Sequence, residues 1–343
     1  MHQHRRLGVA LTAAVAATAV LTGTAQATTT RTDLGVLPSA TEASATAVGH
    51  TGVMVGWSGG DGWRHAVRWG ARGGITDLGT LPGGRYSTAN GINGTGVISG
   101  HSEAAGGGTR AVRFNLDGTR TDLGLVPGYS DSFGLGIDDA NVVAGEGWDR
   151  LGAGRRAVKW DADGVLTAYA LPPGYANSLL GGVAPNGVAA GSVFGSGLPE
   201  RAVRWNRDGT VTVLPTLPSG GDARANAVNR YGQSVGYAFN RYGTQRAVRW
   251  SRDGLSIYDL GAATPHNSGA RAINDDGVAV GVAQDTTGGY RPVRWSTSGA
   301  VLDLGLPANS PTGDAWSINR AGVIVGTSGG WGGPGRAVRW VIS

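Results

Sequence analysis

The sequence has no cysteine, which excludes a disulfide framework, thiolate metal ligation and thiol nucleophiles. Lysine occurs once, at Lys159, and only 15% of residues are charged. The dense basic patch that nucleic-acid binding demands is therefore missing. After residue 27 no segment approaches the roughly 20 consecutive apolar residues of a membrane-spanning helix. The histidines beyond that point, His50, His65, His101 and His266, show no metal-ligand spacing. Nothing reads as a phosphate loop or a nucleophile elbow, because the glycine pairs mark turns. No cofactor is called for, and with no catalytic motif the chain is expected not to be an enzyme.

What is abundant is glycine, 62 residues of it, together with an export-like leader. Arg5 and Arg6 precede a short apolar stretch, Leu7 to Leu21, and Ala25-Gln26-Ala27 has the small-x-small form of a cleavage site. Residues 1–27 are accordingly expected to be a signal peptide, and residues 28–343 a single secreted domain. Losing the two leader arginines lowers the net charge from +5 to +3. An exported chain without disulfides must rely on an extensive core.

The glycines belong to a repeat. His65-Ala66-Val67-Arg68-Trp69 recurs as RAVRF from Arg110 and RAVKW from Arg156. It then recurs as RAVRW from Arg201, Arg246 and Arg336, and as RPVRW from Arg291. Successive starts lie 45 residues apart, with a single spacing of 46. Each copy follows a G-x-V-x-G segment or a near variant, such as Gly96 to Gly100 or Gly277 to Gly281. An A-x-x-I-N strand and a tight turn come before that segment. An Asp-Gly hairpin and a D-L-G strand follow the tryptophan. Four short strands in about 45 residues match a propeller blade.

The ends complement each other. The last unit stops at Val341-Ile342-Ser343 without a fourth strand, while Thr32 to Pro38 offers an unpaired one. Pairing the two removes two exposed sheet edges. The expectation is an all-β, seven-bladed β-propeller closed by its own N-terminal strand.

The run A-x-x-I-N-x-x-G-x-V-x-G, RAVRW, DLGxLP resembles the bacterial extracellular HAF-repeat family across essentially the whole chain after the leader. The resemblance implies a framework and carries no catalytic residue. In size, export and fold class the chain is also similar to the propeller lectin subunits of secreted umbrella toxin particles, as an analogy only.

Two framework assignments follow. A two-residue hairpin loop at Asp117-Gly118 would set Arg113 opposite Asp122. The same count pairs Arg68 with Asp77, Arg294 with Asp303 and, through ring closure, Arg339 with Asp33. The RAVRW tryptophans and Phe114 are expected to fill the gaps between blades, and Trp316, in a first strand, to be core.

In a propeller the second-to-third-strand loops share one rim with the connections between blades. Here that rim varies from unit to unit while the tight turns repeat, and function on a rigid scaffold sits on such loops. Trp57 and Trp63 of unit one, Tyr86 and His101 of unit two and Trp331 of unit seven form the first candidate ligand site. Tyr129, Phe133, Trp148, Tyr175 and Phe194 form a second. Aromatic faces beside Gly, Asp, Asn and Ser suit a sugar ring, pointing to a lectin-like recognition module that binds a glycan or cell-surface polymer. A protein-binding subunit of a larger extracellular assembly stays open. So does, more remotely, a polysaccharide-active enzyme using rim acids such as Asp61, Asp131, Glu146, Asp149 and Asp222.

Overall fold

The repeat becomes seven antiparallel sheets of four strands, arranged as a β-propeller. The computed structural model describes residues 28–150, 154–195, 197–261, 266–308, 310–329 and 335–342. The assigned leader and Trp331 lie outside the described residues. Blades one to six span 42–79, 87–122, 131–168, 177–213, 223–259 and 268–303. Blade seven takes its three inner strands from 313–342 and its outer one, Thr29–Asp33, from the other end of the chain.

That outer strand runs antiparallel to Arg336–Ile342 with Thr29 opposite Ile342 and Asp33 opposite Val338. It lies earlier than the expected Thr32 to Pro38. The strand ends at Asp33 because the Asp33 carboxylate accepts the Gly35 N–H at 2.9 Å, closing a turn with Gly35 at φ 77°. The same turn follows Asp77, Asp122, Asp259 and Asp303, which explains the repeated D-L-G.

Each inner strand carries a β-bulge, for example between Ala45 and Ala47 or between Ala315 and Ser317. The bulge presses an inner-strand carbonyl against the neighbouring strand. A Cβ on Gly56 would sit 2.0 Å from the Ser44 carbonyl oxygen, and one on Gly145 would sit 1.9 Å from that of Phe133. The last glycine of G-x-V-x-G is therefore steric in origin.

The blades are fastened by side chains at fixed repeat positions. The six repeat tryptophans are at most 1% exposed. The Trp205 indole donates to the Ala170 carbonyl of the preceding blade at 2.8 Å, and Trp250 does the same to Pro215. Serines at the start of inner strands accept the alanine N–H of the preceding blade's RAVRW, as Ser132 does from Ala111 at 2.9 Å. On the tight-turn face the A-x-x-I-N asparagines donate one blade onward. Asn229 reaches the Asn274 carbonyl, Asn274 reaches Asn319, and Asn319 closes the ring on Gly49.

The expected Arg–Asp register is corrected. The hairpin after the third strand has a loop of residues 115–119, closed by Asn115 N–H to Thr119 and Gly118 N–H to Asn115. Phe114 therefore pairs with Arg120, and Asp122 with Val112. This one-residue shift moves each aspartate to the face of the first RAVRW position. The pairs found are Arg110–Asp122 at 2.9 Å, His65–Asp77 at 2.8 Å, Arg291–Asp303 at 3.2 Å and Arg336–Asp33 at 3.6 Å. They are partly exposed and worth about 0.2–1 kcal/mol each.

The fourth-position arginines instead reach into the next blade. Arg113 donates to the Ala162 carbonyl, while Arg204, 8% exposed, donates to those of Gly232 and Arg252. Arg204→Ala should therefore cost about 1 kcal/mol more in urea denaturation than Arg113→Ala, because it strands more buried acceptors. An equal or reversed ranking would contradict this account of the blade fastening.

Candidate functional site

The inner strands enclose an axial channel of 1310 Å³ lined from all seven blades. Two positions of the repeat recur around its wall. One is the bulge residue of the inner strand, occupied by Thr46, Asn90, Leu135, Gly181, Asn226, Arg271 and Trp316 around the ring. The other follows G-x-V-x-G, and brings Trp57, Glu146, Tyr237, Val282 and Thr327 to the wall. Both vary within an otherwise repeating strand.

Polar groups gather toward the mouth on the side of the second-to-third-strand loops. Glu146 is 6% exposed, and burial raises its pKa against the pull of Arg155, 3.2 Å away, and of Arg224. Asp314 pairs with Arg271 at 3.0 Å, yet burial outweighs that cation and pushes its pKa up to about 6. Each carboxyl keeps one buried oxygen without a hydrogen-bond partner, Oε2 of Glu146 and Oδ1 of Asp314. Arg271 also lies 4.7 Å over the Trp316 ring, whose indole donates to Thr327 Oγ1 at 3.3 Å. Tyr237 stays a neutral phenol, its pKa raised by burial and by Glu200.

The candidates chosen from sequence are dispersed. Trp57 lines the channel with the Arg64 guanidinium 4.8 Å above its ring. Trp63 packs into the core beside Trp69 and meets His65 edge-on at 5.1 Å. Tyr86 is 43% exposed on the connection into blade two, where its carbonyl accepts the Glu103 N–H. His101 is half-buried, with its pKa lowered to about 4 by desolvation and by Arg64. Its Nδ1 accepts from Asn90 at 3.0 Å.

His101 forms a line of rings with Phe133 and Trp148 of the second group, at 4.9 and 6.0 Å, ending in Arg155 over Trp148. Tyr129 and Tyr175 pack against blade cores, and Phe194 pairs with Asn177. The structure thus joins His101 of the first group to Phe133 and Trp148 of the second, and sets Trp57 in the channel wall.

Trp316 is the main correction. Expected in the core, it is 37% exposed, because the bulge turns its position toward the axis. Arg224, Arg271, Tyr237 and Asp314 were not singled out from sequence either. The available signal was variability at two positions inside conserved-looking strands, which reasoning about loops passes over.

No family model and no curated protein matches the sequence, so the repeat-family likeness rests on its motif alone. Solved structures share the fold. An oligogalacturonate lyase in complex with manganese is 13% identical with a TM-score of 0.61, covering 92% of this chain and 96% of that one. A streptogramin B lyase is 13% identical at 0.59, covering 92% and 98%. The virginiamycin B lyase of Staphylococcus aureus is 14% identical at 0.57, covering 92% and 99%. The expectation that the chain is not an enzyme is overturned, because propellers that it matches nearly end to end are lyases. The lack of a motif in the repeat excludes nothing about the channel, whose chemistry sits at the variable positions. At these identities the likeness is one of fold, and the chain is a seven-bladed β-propeller similar in architecture to these lyases.

Proposed function

We propose that this is a secreted glycan-binding protein whose ligand enters the mouth of the central channel. The observation that carries the reading is the make-up of the wall. Trp57, Trp316, Tyr237 and Tyr290 stand among Asn, Gln, Ser and Thr side chains and charged groups in one concave site. Aromatic faces cover the C–H side of a sugar ring, while fixed donors and acceptors take its hydroxyls. Screening residues 28–343 on a glycan array should give binding to a defined saccharide class, and Trp57→Ala should weaken it while leaving the melting temperature within a few degrees. Absence of any bound glycan would sink the proposal, as would full binding by Trp57→Ala.

A second reading, turnover of the bound saccharide, is favoured by the two desolvated carboxyls. Asp314, with a pKa of about 6, can hold or release a proton near neutrality, as a general acid–base group must. Incubating the array-selected polysaccharide with the protein should then release chain ends, and Asp314→Asn should abolish the release. Unchanged polysaccharide would reduce the site to binding alone.

A further inference from the structure

Four charged side chains line the channel, Glu146, Asp314, Arg224 and Arg271, and three of them have a direct ion-pair partner. Glu146 is taken by Arg155, and Asp314 by Arg271. Arg224, on the inner strand Ala223–Val228 of blade five, lines the same channel and forms no ion pair with any described carboxylate. Its Nε is buried without an acceptor. The guanidinium couples to the neutral Tyr237 hydroxyl and to the Glu146 carboxylate, whose direct ion pair is made with Arg155. Arg271 acts on the same hydroxyl through its field, so the two cations stand around one phenol. Glu200 also reaches Tyr237 electrostatically, with its own carboxyl occupied by the Ser192 hydroxyl. Other arginines with an idle buried nitrogen, Arg156, Arg249 and Arg339, belong to third strands of the framework and do not line the channel.

We propose that Arg224, with Arg271 beside it, forms a subsite for an anionic group of the ligand, so that the saccharide held in the channel is an acidic one carrying a carboxylate such as a uronate. The inference rests on the glycan reading and narrows it. A guanidinium offers a planar fork of donors that matches a carboxylate, and such a charge-assisted pair strengthens where water is scarce. Trp316 stacks on Arg271 and holds that cation at the wall. Tyr290 and Gln245 border the same side and supply polar contacts for ring hydroxyls.

The test presents the protein with α- and β-linked neutral oligosaccharides, each beside its counterpart oxidised at C6 to the uronate, and with free glucuronate. The expected result is at least tenfold tighter binding of the uronate member of the bound pair. That preference should fade with added salt and disappear in Arg224→Gln, while Arg224→Lys retains part of it. Equal affinity for the two members overturns the anionic subsite and leaves the glycan reading intact. Binding of free glucuronate alone, lost in Arg224→Gln, keeps the subsite and overturns the oligosaccharide reading. No binding by any probe overturns both. The comparison between probes is made on the unsubstituted protein, so it stands even where a variant folds poorly.

Discussion

Removing Thr28 to Pro38 should abolish cooperative unfolding and drive the protein into aggregates. The segment supplies the outer strand of blade seven, and without it the full length of Arg336–Ile342 becomes an unpaired edge. The strand also ties blades together. Arg31 donates to the Leu306 carbonyl, just past blade six, at 2.9 Å, and the Gly35 carbonyl accepts from the Trp69 indole of blade one at 3.3 Å. Leu37, 7% exposed, packs with Met54, Val67 and Trp69, and losing one such buried leucine costs about 2–5 kcal/mol. Differential scanning calorimetry with size-exclusion chromatography reads the outcome. A monomer with an unchanged melting temperature would refute ring closure.

Trp250→Ala should cost about 3–5 kcal/mol in urea denaturation, the range for losing a fully buried aromatic side chain. Trp250 is 0% exposed between blades four and five, packed with Leu214, Leu217 and Val228. Its indole donates to the Pro215 carbonyl at 2.8 Å. A subtler comparison separates packing from hydrogen bonding. Trp160 fills the equivalent gap, but its indole nitrogen is buried without a partner, and blade two places Phe114 at this position. Trp160→Phe should therefore be milder than Trp250→Phe by about 1 kcal/mol, the net worth of one hydrogen bond. Equal losses would show that these tryptophans act by volume alone, and a reversed ranking would contradict the hydrogen-bond account.

The architecture was legible because a strict period carries it. Four-strand units, positions of the gap-filling tryptophans and the use of the first strand to close the last blade all follow from residues recurring at fixed offsets. Register was less legible. Whether the Asp-Gly hairpin has a two-residue or a longer loop changes the pairing by one residue, and that moved the partner of Asp122 from Arg113 to Arg110. Only the backbone closure from Asn115 to Thr119 decides it.

The site was less legible still. A bulge in every inner strand turns one residue toward the axis, so Trp316, Arg271 and Asn226 occupy the channel from inside a repeating strand. Trp57 and Glu146 were noticed as rim residues, yet they reach the wall through the strand position after G-x-V-x-G. Loop composition pointed to the second-to-third-strand rim, whereas strand position sets Trp57 and Glu146 in the channel wall. Trp63, Tyr129 and Tyr175 were placed by the same loop argument, and they pack into blade cores because apolar rings beside a core find cover there.

The channel as the binding site is tested most directly by one pair of isotherms for the array-selected ligand, taken on Trp316→Ala and Trp148→Ala. Trp316 lines the channel, whereas Trp148 lies on the outer rim under Arg155 and is exposed to a similar degree. Truncating an aromatic anchor costs about 2 kcal/mol or more, roughly a thirtyfold loss of affinity. The account predicts that loss for Trp316→Ala and little change for Trp148→Ala; full affinity in Trp316→Ala with loss in Trp148→Ala would contradict it and move the site to the rim.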